Sequence, residues 1–384
     1  MCSTAVLCGG SLSASAFKFT TRFPLKPRFY CPRVALVLKL AILCFNISMT
    51  RIVKEAAPKI LKAIKGSKSV LLHCHPSPDP DSVGSALAMK FAIEQMGKKA
   101  TVIRGDSEIP QAFMHFPGAD SIVPKNFFEV DLEEFDLFII QDTGSLDRVS
   151  HLGKMNIPAS LPTIVIDHHI SNASFGTAVN LVDSSYPATA LILFELFKVW
   201  KIKITSDMAG DLFIGAYTDT GGFRYESVTP NVLFVASELA KSYPTFPKLI
   251  ATMENCRKPE ELISLGLVLS NIKTFLNGSM AIASVSSEDL KKNGIIDLDS
   301  GTRWAVNLLK SVVGWEVCAC CIENKDDNVK ISFSTRDAEK YDLSKLAVAL
   351  GGGGHRAAAG ATLTMPLPEA IEKIVKTAKE IYNL

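Results

Sequence analysis

Short apolar runs separated by polar loops dominate the chain between residues 50 and 223. The runs that have the length of buried strands are 69–72, 100–103, 135–140 and 163–166. The longer stretches that read as helices are 51–65, 85–94, 188–197 and 209–216. Strands that alternate with helices in this way predict an α/β fold with a doubly wound, mainly parallel sheet.

The pattern changes after residue 223. A predicted amphipathic helix from Arg257 to Phe275 reads as a connector, and the apolar segments 278–285, 317–322 and 329–334 predict strands of a second, smaller α/β domain across a cleft. We therefore predict three parts after the first 48 residues, namely a domain at 50–255, a helical connector at 256–276 and a second domain at 277–384.

Composition limits the classes of partner. The chain has 384 residues, enough for two domains, and its 41 basic and 39 acidic residues nearly balance. No strongly basic surface is implied, so we expect no long duplex nucleic acid as a partner and look for a local site instead. The nine cysteines show no zinc-ligand spacing, which fits a reducing compartment.

Residues 1–48 differ from the rest of the chain. They contain six Lys or Arg residues, no Asp or Glu, and an apolar run interrupted by Lys39 that is too short to span a membrane. The composition is typical of an organellar transit peptide, but also of an upstream stretch translated from a mis-chosen start, with Met49 opening the protein. We favour the second interpretation and hence a cytoplasmic location; a genuine transit peptide would make the protein organellar.

The loop after the first predicted strand carries the first candidate chemistry. His75, Asp79 and Asp81 lie within seven residues there, among three prolines that stiffen the backbone. Loops at the carboxyl ends of parallel strands are where open α/β sheets place their active sites. Imidazole and carboxylate ligands suit Mn²⁺ or a similar divalent ion. The plain alternative is a Pro/Asp turn with a stray histidine.

Three further acidic positions follow predicted elements of the same domain. Asp142 and the triplet Asp167-His168-His169 come after apolar runs, and Asp219 comes after the predicted helix at 209–216. One such aspartate would most often be a helix cap or a turn residue. Four acidic loops that also carry three histidines are hard to explain as independent caps. They predict a site for two divalent ions about 3.5–4 Å apart, the arrangement used for in-line displacement at phosphorus.

A run of four glycines, 351–354, precedes His355 and Arg356 in the second domain. Glycine backbone N–H groups can wrap an anion, and the two basic side chains could add contacts to a phosphate. A glycine run alone is more often a flexible loop, so this segment needs support from its surroundings.

Together these motifs resemble the DHH phosphoesterase superfamily, in order and over residues 50–384. His75-x3-Asp79-x-Asp81, Asp142, Asp167-His168-His169 and Asp219 match its four catalytic motifs. The segment 332–336 and the Gly-Gly-Gly-His run resemble its DHH-associated domain. The roles below are those that the resemblance implies. The metal ligands would be His75, Asp79, Asp81, Asp142, His168 and Asp219, with Asp142 bridging two Mn²⁺ ions (Mg²⁺ or Co²⁺ as alternatives). Asp167 would orient the histidines and His169 would face the substrate. The substrate-binding residues would be Arg224, Arg336, Gly353, Gly354, His355 and Arg356.

The branch that this chain is most similar to is the two-domain, NrnA-like oligoribonuclease and 3′-phosphoadenosine-5′-phosphate (pAp) phosphatase group. The resemblance implies a metal-dependent phosphoesterase that acts on short RNA or nucleotides, without a membrane partner. Two alternatives stay open, a pApA or cyclic-dinucleotide phosphodiesterase and a non-catalytic nucleotide-binding regulator. The oligomeric state also stays open, with a homodimer among the alternatives.

Overall fold

The structure of the protein is a computed structural model that describes residues 49–170, 172, 174–256, 258–295, 302–324 and 328–384. The N-terminal extension 1–48, predicted to be either transit-like or a stretch upstream of the true start, lies outside the described residues. The rest forms two sheets, of five and six strands, each with its own helices. No helix in the described ranges has both the length and the apolar character needed to cross a membrane.

The first sheet is entirely parallel and has the strand order β2-β1-β3-β4-β5. Its strands are β1 Ser69–His73, β2 Lys99–Ile103, β3 Leu137–Gln141, β4 Thr163–Asp167 and β5 Val179–Val182. The helices of this part are α1 Arg51–Gly66, α2 Pro80–Gln95, α3 Thr189–Trp200, α4 Ser206–Asp219, α5 Pro230–Ser242 and α6 Phe246–Glu254. The prediction of a mainly parallel α/β sheet is therefore confirmed.

The strand order fixes where a site can form. The chain leaves β1 toward β2 on one side and returns to β3 on the other, so a crevice opens between the carboxyl ends of β1 and β3. The register pairs Leu72 of β1 with Ile139 of β3, so the two strands end near one another at this edge. The loop of His75 and the residue Asp142 leave the sheet at that point.

The two faces of this sheet are covered differently. Along β3, Leu137 and Ile139 join the helix-covered core, while Phe138 and Ile140 join the opposite core, as the two-residue period of a strand requires. The second face is covered by loops and 3₁₀ turns between residues 104 and 162 rather than by α-helices. Doubly wound folds usually place α-helices there, so this region departs from the predicted pattern.

The second sheet has the order β10-β11-β9-β8-β7-β6 and is antiparallel except between β7 and β8. Its strands are β6 Ile272–Phe275, β7 Met280–Val285, β8 Val317–Glu323, β9 Asn328–Thr335, β10 Gly353–Gly354 and β11 Ala358–Thr364. The helices are α7 Pro259–Ser270, α8 Ser287–Lys292, α9 Thr302–Lys310, α10 Leu343–Ala349 and α11 Leu367–Tyr382. This is the smaller α/β part that the sequence predicts.

The predicted connector helix is shorter in the structure. Helix α7 ends at Ser270, and residues 272–275 form the edge strand β6, paired with β7. Val268 of α7 packs with Ala283 of β7, so the helix covers the second sheet instead of only linking two domains. The prediction of helix through Phe275 was wrong because β6 offers backbone hydrogen bonds to β7 that a helix would leave unused.

Candidate active site

The acidic and histidine side chains singled out in the sequence meet at the carboxyl edge of the first sheet. Asp142 directly follows β3, and its N–H donates to Ile166 of β4 at 2.9 Å. Asp167 is the last residue of β4, and Asp219 is the last residue of α4. Asp142 has a φ of +56°, a left-handed conformation that is uncommon outside glycine and costs about 1 kcal/mol or more.

The first loop is fixed by local hydrogen bonds. Asp79 caps α2 by accepting from the N–H of Ser82 at 2.8 Å, and the Ser82 hydroxyl accepts from the N–H of His75 at 2.8 Å. A Cβ on Gly105 would lie 1.6 Å from the carbonyl oxygen of His75, so only glycine fits beside this loop. The His75 ring is held between Asp79, 3.2 Å from Nδ1, and the backbone oxygen of Asp142, which Nε2 contacts.

Asp81 lies deeper, in the first turn of α2, and is fully buried. Its carboxylate accepts from the N–H groups of Thr189 at 2.6 Å and Ala190 at 3.0 Å. These N–H groups belong to the first turn of α3, where the helix dipole favours a negative charge. A Cβ on Gly215 of α4 would lie 2.5 Å from Asp81 Oδ1, so this glycine lets α4 approach the carboxylate.

The potential ligand atoms form three overlapping groups, and within each group they lie within 4.8 Å of one another. Asp142 belongs to all three. The groups are His75, Asp79 and Asp142; Asp81, Asp142, His168 and Asp219; and Asp142, Asp167, His168 and His169. The first two are the sets that the resemblance implies for two metal ions.

The donor set fits divalent ions by its chemistry. His168 Nε2 is buried and lies 3.3 Å from Asp142 Oδ1 and 3.4 Å from Asp219 Oδ2. Within the described part of the chain it makes no hydrogen bond of good geometry with either oxygen or with any other group. A buried imidazole nitrogen directed between two carboxylates without a hydrogen bond is the arrangement expected of a metal ligand.

The electrostatics of the two histidines point the same way. Burial by itself would lower the pKa of His75, but Asp79 and Asp142 outweigh it and raise that pKa to about 10. Burial also opposes the charged form of His168, yet Asp142 and Asp219 raise its pKa to about 11. The carboxylates therefore favour a positive charge at both histidines, and a metal ion bound there would provide that charge.

The carboxylates themselves are crowded. Burial first, and then the negative charges of Asp142 and Asp219, raise the pKa of Asp81 well above its usual value. Burial and Asp142 likewise raise the pKa of Asp219 to about 6, against the opposing effect of His168. Ionising several neighbouring buried carboxylates at once is electrostatically unfavourable, and a bound divalent cation would offset that repulsion.

Asp167 organises the two histidines that follow it. Its buried carboxylate accepts from the His168 N–H at 2.8 Å, from His169 Nδ1 at 2.7 Å and from the Asn172 side chain at 2.7 Å. Burial alone would raise the pKa of Asp167, but the contact with His169 outweighs it and lowers the pKa. An ionised acceptor requires His169 Nδ1 to carry a proton. Such contacts would serve the orienting role that the resemblance implies for Asp167, which stays a prediction.

The sequence did not predict two residues that support the site. Thr189 donates its hydroxyl to Asp142 Oδ1 at 3.1 Å, and Asn172 also donates to the carbonyl oxygen of Thr143 at 2.8 Å. A threonine at the start of a predicted helix and an asparagine in a loop carry no sequence signal of such contacts, which join residues far apart in the chain.

Among the predicted substrate residues, His355 contacts the histidine cluster. Its ring stacks on His169 with centroids 6.3 Å apart. The side chains of Arg336 and Arg224 are exposed. Arg356 is turned toward its own domain, with Nε 3.3 Å from Asp342 Oδ2 and a hydrogen bond to the carbonyl oxygen of Glu339.

The glycine run is a short strand, not an open loop. Gly353 and Gly354 form β10, paired with Gly360 and Ala359 of β11. A Cβ on Gly354 would lie 2.5 Å from the Cα of Ala359, and one on Gly352 would lie 2.1 Å from the carbonyl oxygen of Gly360. Close strand pairing therefore explains two of the four glycines. Anion binding by Gly353 and Gly354 stays a prediction.

Comparison with known proteins places these features in a family context. Residues 69–216 match the DHH family, N-terminal domain, and residues 299–384 match the DHHA1 domain. The chain is 29% identical to the bifunctional oligoribonuclease and PAP phosphatase NrnA of Thermus thermophilus, over 84% of this chain and 92% of that protein. It is 24% identical to the protein of the same name from Bacillus subtilis, over 79% and 92%.

The fold also matches a solved structure. An exopolyphosphatase-related protein from Bacteroides fragilis superposes with a TM-score of 0.76 and 23% identity, over 87% of this chain and 98% of that one. At this level of identity the match supports the architecture of both sheets, and it gives no information on the reaction at the site.

Proposed function

Because this chain belongs to the DHH family and carries a DHHA1 domain, we propose that it hydrolyses short oligoribonucleotides and pAp with two divalent metal ions. The protein is a phosphoesterase of this family. The substrate class follows from the relatives named as oligoribonucleases and PAP phosphatases, and it fits a chain whose charges nearly balance. A short substrate can be bound by one local cleft, without the extended basic groove that long nucleic acids require.

The single observation that carries the proposal is the shared position of Asp142. It belongs both to the group with His75 and Asp79 and to the group with Asp81, His168 and Asp219. We assign one ion to each group, with Mn²⁺ as the expected metal and Mg²⁺ or Co²⁺ as alternatives. When bound, the ions supply Lewis-acid activation of water and neutralise charge at the phosphoryl group.

The residues of the chain do the positioning. Asp167 keeps a proton on Nδ1 of His169, which leaves Nε2 as the ring nitrogen available to a substrate phosphate. The N–H groups of Thr189 and Ala190 hold the Asp81 carboxylate in place, and the Thr189 hydroxyl does the same for Asp142. A site held by such contacts needs little rearrangement when substrate arrives.

The test is a turnover panel with Mn²⁺ that contains pAp, di- to pentaribonucleotides, pApA, cyclic di-AMP, pyrophosphate and long single strands. We expect rapid hydrolysis of pAp and the short oligoribonucleotides, and little of pyrophosphate or long strands. His168→Ala, prepared in parallel, controls for contaminating nucleases and should be inactive on every substrate. A preference for cyclic di-AMP or pApA, or no turnover at all, would contradict the proposal.

A further inference from the structure

A cavity of about 150 Å³ lies in the first domain, between helices α3 and α5 and near the start of α1. It is lined by residues other than the proposed metal ligands, and it combines polar groups with aliphatic side chains. The lining includes Pro187, Leu191, Glu195, Asn231, Val232 and Val235. The cavity is therefore a second place at which this domain could bind a ligand.

Glu195 is a buried acid without a partner. It is 4% exposed and lies on α3, one turn after Leu191. Its Oε1 accepts no hydrogen bond from any group that the structure describes. Lys198 of the same helix places Nζ over the Phe194 ring, 5.1 Å from the ring centroid. Burial raises the pKa of Glu195 against the opposing charge of Lys198. The ionised carboxylate therefore lacks compensation, which a donor in the cavity would supply.

Asn231 offers a second acceptor in the same cavity. It lies in the first turn of α5, and its Oδ1 is buried and has no hydrogen-bond partner in the described part of the chain. Two acceptors without donors favour a ligand group that donates several hydrogen bonds and carries a positive charge. A primary ammonium group has three N–H donors and no acceptor, so it matches both Glu195 and Asn231.

The aliphatic side and the size of the cavity restrict the rest of the ligand. Leu191, Val232 and Val235 supply apolar surface. Because a water molecule occupies about 30 Å³ in the liquid, a cavity of about 150 Å³ holds about five non-hydrogen atoms. An ammonium group on a short alkyl chain satisfies both limits.

The cavity also touches helix α3 on both sides of Thr189. Pro187 precedes Thr189 by two residues and Leu191 follows it by two. The Thr189 N–H donates to Asp81 at 2.6 Å, and its hydroxyl donates to Asp142 at 3.1 Å. A ligand packed against this stretch would restrain the residue that positions two of the proposed metal ligands.

We propose that this cavity binds a small primary ammonium ion with a short aliphatic chain, between Glu195 and Asn231, and that its occupation strengthens metal binding through α3. The ammonium site goes beyond the proposed function and does not depend on it. The coupling rests on the proposed metal cluster.

Calorimetry of the full-length protein in a buffer with Mn²⁺ tests the site. The probes are n-butylammonium and n-butanol, which have a similar size and differ in charge. We expect the wild type to bind n-butylammonium about tenfold or more tightly than n-butanol. Glu195→Gln keeps the volume and removes the charge, so it should lose most of that preference. Equal affinity of the wild type for the two probes, or an unchanged preference in Glu195→Gln, would overturn the ammonium site.

Two variants of α5 sharpen the test. Asn231→Asp adds a carboxylate in the first turn of the helix, where negative charge is favourable, and should tighten n-butylammonium binding by about tenfold. Glu238→Gln removes a carboxylate that already pairs with Lys241 at 2.6 Å, so it is the matched control and should leave both affinities unchanged. A loss in Glu238→Gln as large as that in Glu195→Gln would show a general effect of charge and refute the site.

The coupling is measured by Mn²⁺ titration with and without saturating n-butylammonium. We expect the amine to raise the Mn²⁺ affinity of the wild type by about fivefold and to leave that of Glu195→Gln unchanged. Equal Mn²⁺ affinities of the wild type under the two conditions would overturn the coupling. A protein that binds no Mn²⁺ would refute the proposed metal cluster, while the affinities for n-butylammonium and n-butanol would still decide the ammonium site.

Discussion

The imidazole of His355 stacks on the imidazole of His169, with ring centroids 6.3 Å apart and planes inclined by 19°. His169 belongs to the loop after β4 of the first sheet, and His355 to the loop between β10 and β11 of the second. This pair brings the two domains together at the candidate active site. Because Asp167 fixes the protonation of Nδ1 in His169, the geometry of the pair depends on a residue that is itself buried beneath it.

Asp167→Asn tests that dependence. An amide replaces a carboxylate that accepts from three donors, so His169 would lose its fixed tautomer and orientation. We expect kcat to fall by roughly 100-fold or more while the metal content, from elemental analysis, stays near two per chain. Asn172→Ala removes only one of the three donors and should lose much less. Metal lost in proportion to activity would instead make Asp167 a ligand.

Asp142→Ala tests the bridging assignment. Protein purified without chelator should contain about two divalent ions per chain, and this variant should lose most of both because Asp142 belongs to both ligand groups. Asp147→Ala, in the exposed turn five residues later, is the matched control and should keep both ions. Unchanged metal content in the Asp142 variant would refute the shared ligand.

Gly215→Ala tests the packing beneath the site. The added Cβ would lie 2.5 Å from Asp81 Oδ1 and 3.1 Å from the Asp81 Cα, so the carboxylate must shift, which disturbs its hydrogen bonds from Thr189 and Ala190. We expect a loss of about 1–3 kcal/mol in stability and a larger fractional loss of activity. Gly266→Ala in α7 has open space around it and should stabilise by up to about 1 kcal/mol, measured by urea denaturation. Equal effects of the two substitutions would contradict the packing account.

We predict that Asp211→Asn increases the free energy of unfolding, by an amount that depends on pH. Burial, with a further contribution from Asp207, raises the pKa of Asp211 well above its usual value. Both of its carboxylate oxygens are buried, and no described group hydrogen-bonds to them. The pKa of Asp211 is lower in the unfolded chain than in the folded protein, so the unfolded chain ionises first as the pH rises. The contribution of protonated Asp211 to the unfolding free energy is therefore fully present below about pH 4 and is lost as the pH approaches the raised pKa of the folded state.

The variant removes this titration. Relative to the wild type, its unfolding free energy should rise with pH above about 4, by up to about 1.4 kcal/mol per pH unit. Urea denaturation of both proteins at pH 5, 6 and 7 measures the difference, and the shared metal site cancels in it. A difference that does not change with pH would mean that Asp211 keeps its ordinary pKa in the folded state.

The sequence was most informative where a residue type and its neighbours determine the structure. The apolar runs predicted β1 to β4 closely because buried parallel strands are continuous hydrophobic segments. Strand β5 was not predicted, since its four residues include the polar Asn180 and it lies at a sheet edge. Helices α5, α6 and α11 were not predicted either, although each begins with a proline in its first turn, a local signal of a helix start.

The parts that sequence could not provide depend on distant contacts. The support of Asp81 by Thr189 and Ala190 joins α2 to α3 across more than a hundred residues. Gly352 and Gly354 are explained by the approach of β11, which no glycine pattern reveals.

The last prediction separates chemistry from recognition. His168 lies between Asp142 and Asp219, so His168→Ala should abolish turnover of every substrate, including an activated generic phosphodiester. Arg356 lies beside His355 in the second domain and also contacts Asp342 at 3.3 Å. If it binds substrate, Arg356→Ala should spare the generic phosphodiester and lower kcat/KM on natural nucleotides by about one to a few kcal/mol, roughly tenfold to several hundredfold.

The contact with Asp342 supplies the competing explanation. If Arg356 only braces the loop of His355 against helix α10, its loss should lower the melting temperature and reduce turnover of all substrates alike. Asp342→Asn weakens the same ion pair from the other side while leaving Arg356 in place, so it should reproduce that general loss. A nucleotide-specific loss in Arg356→Ala that is absent from Asp342→Asn would assign Arg356 to substrate binding, because only Arg356→Ala removes the guanidinium group.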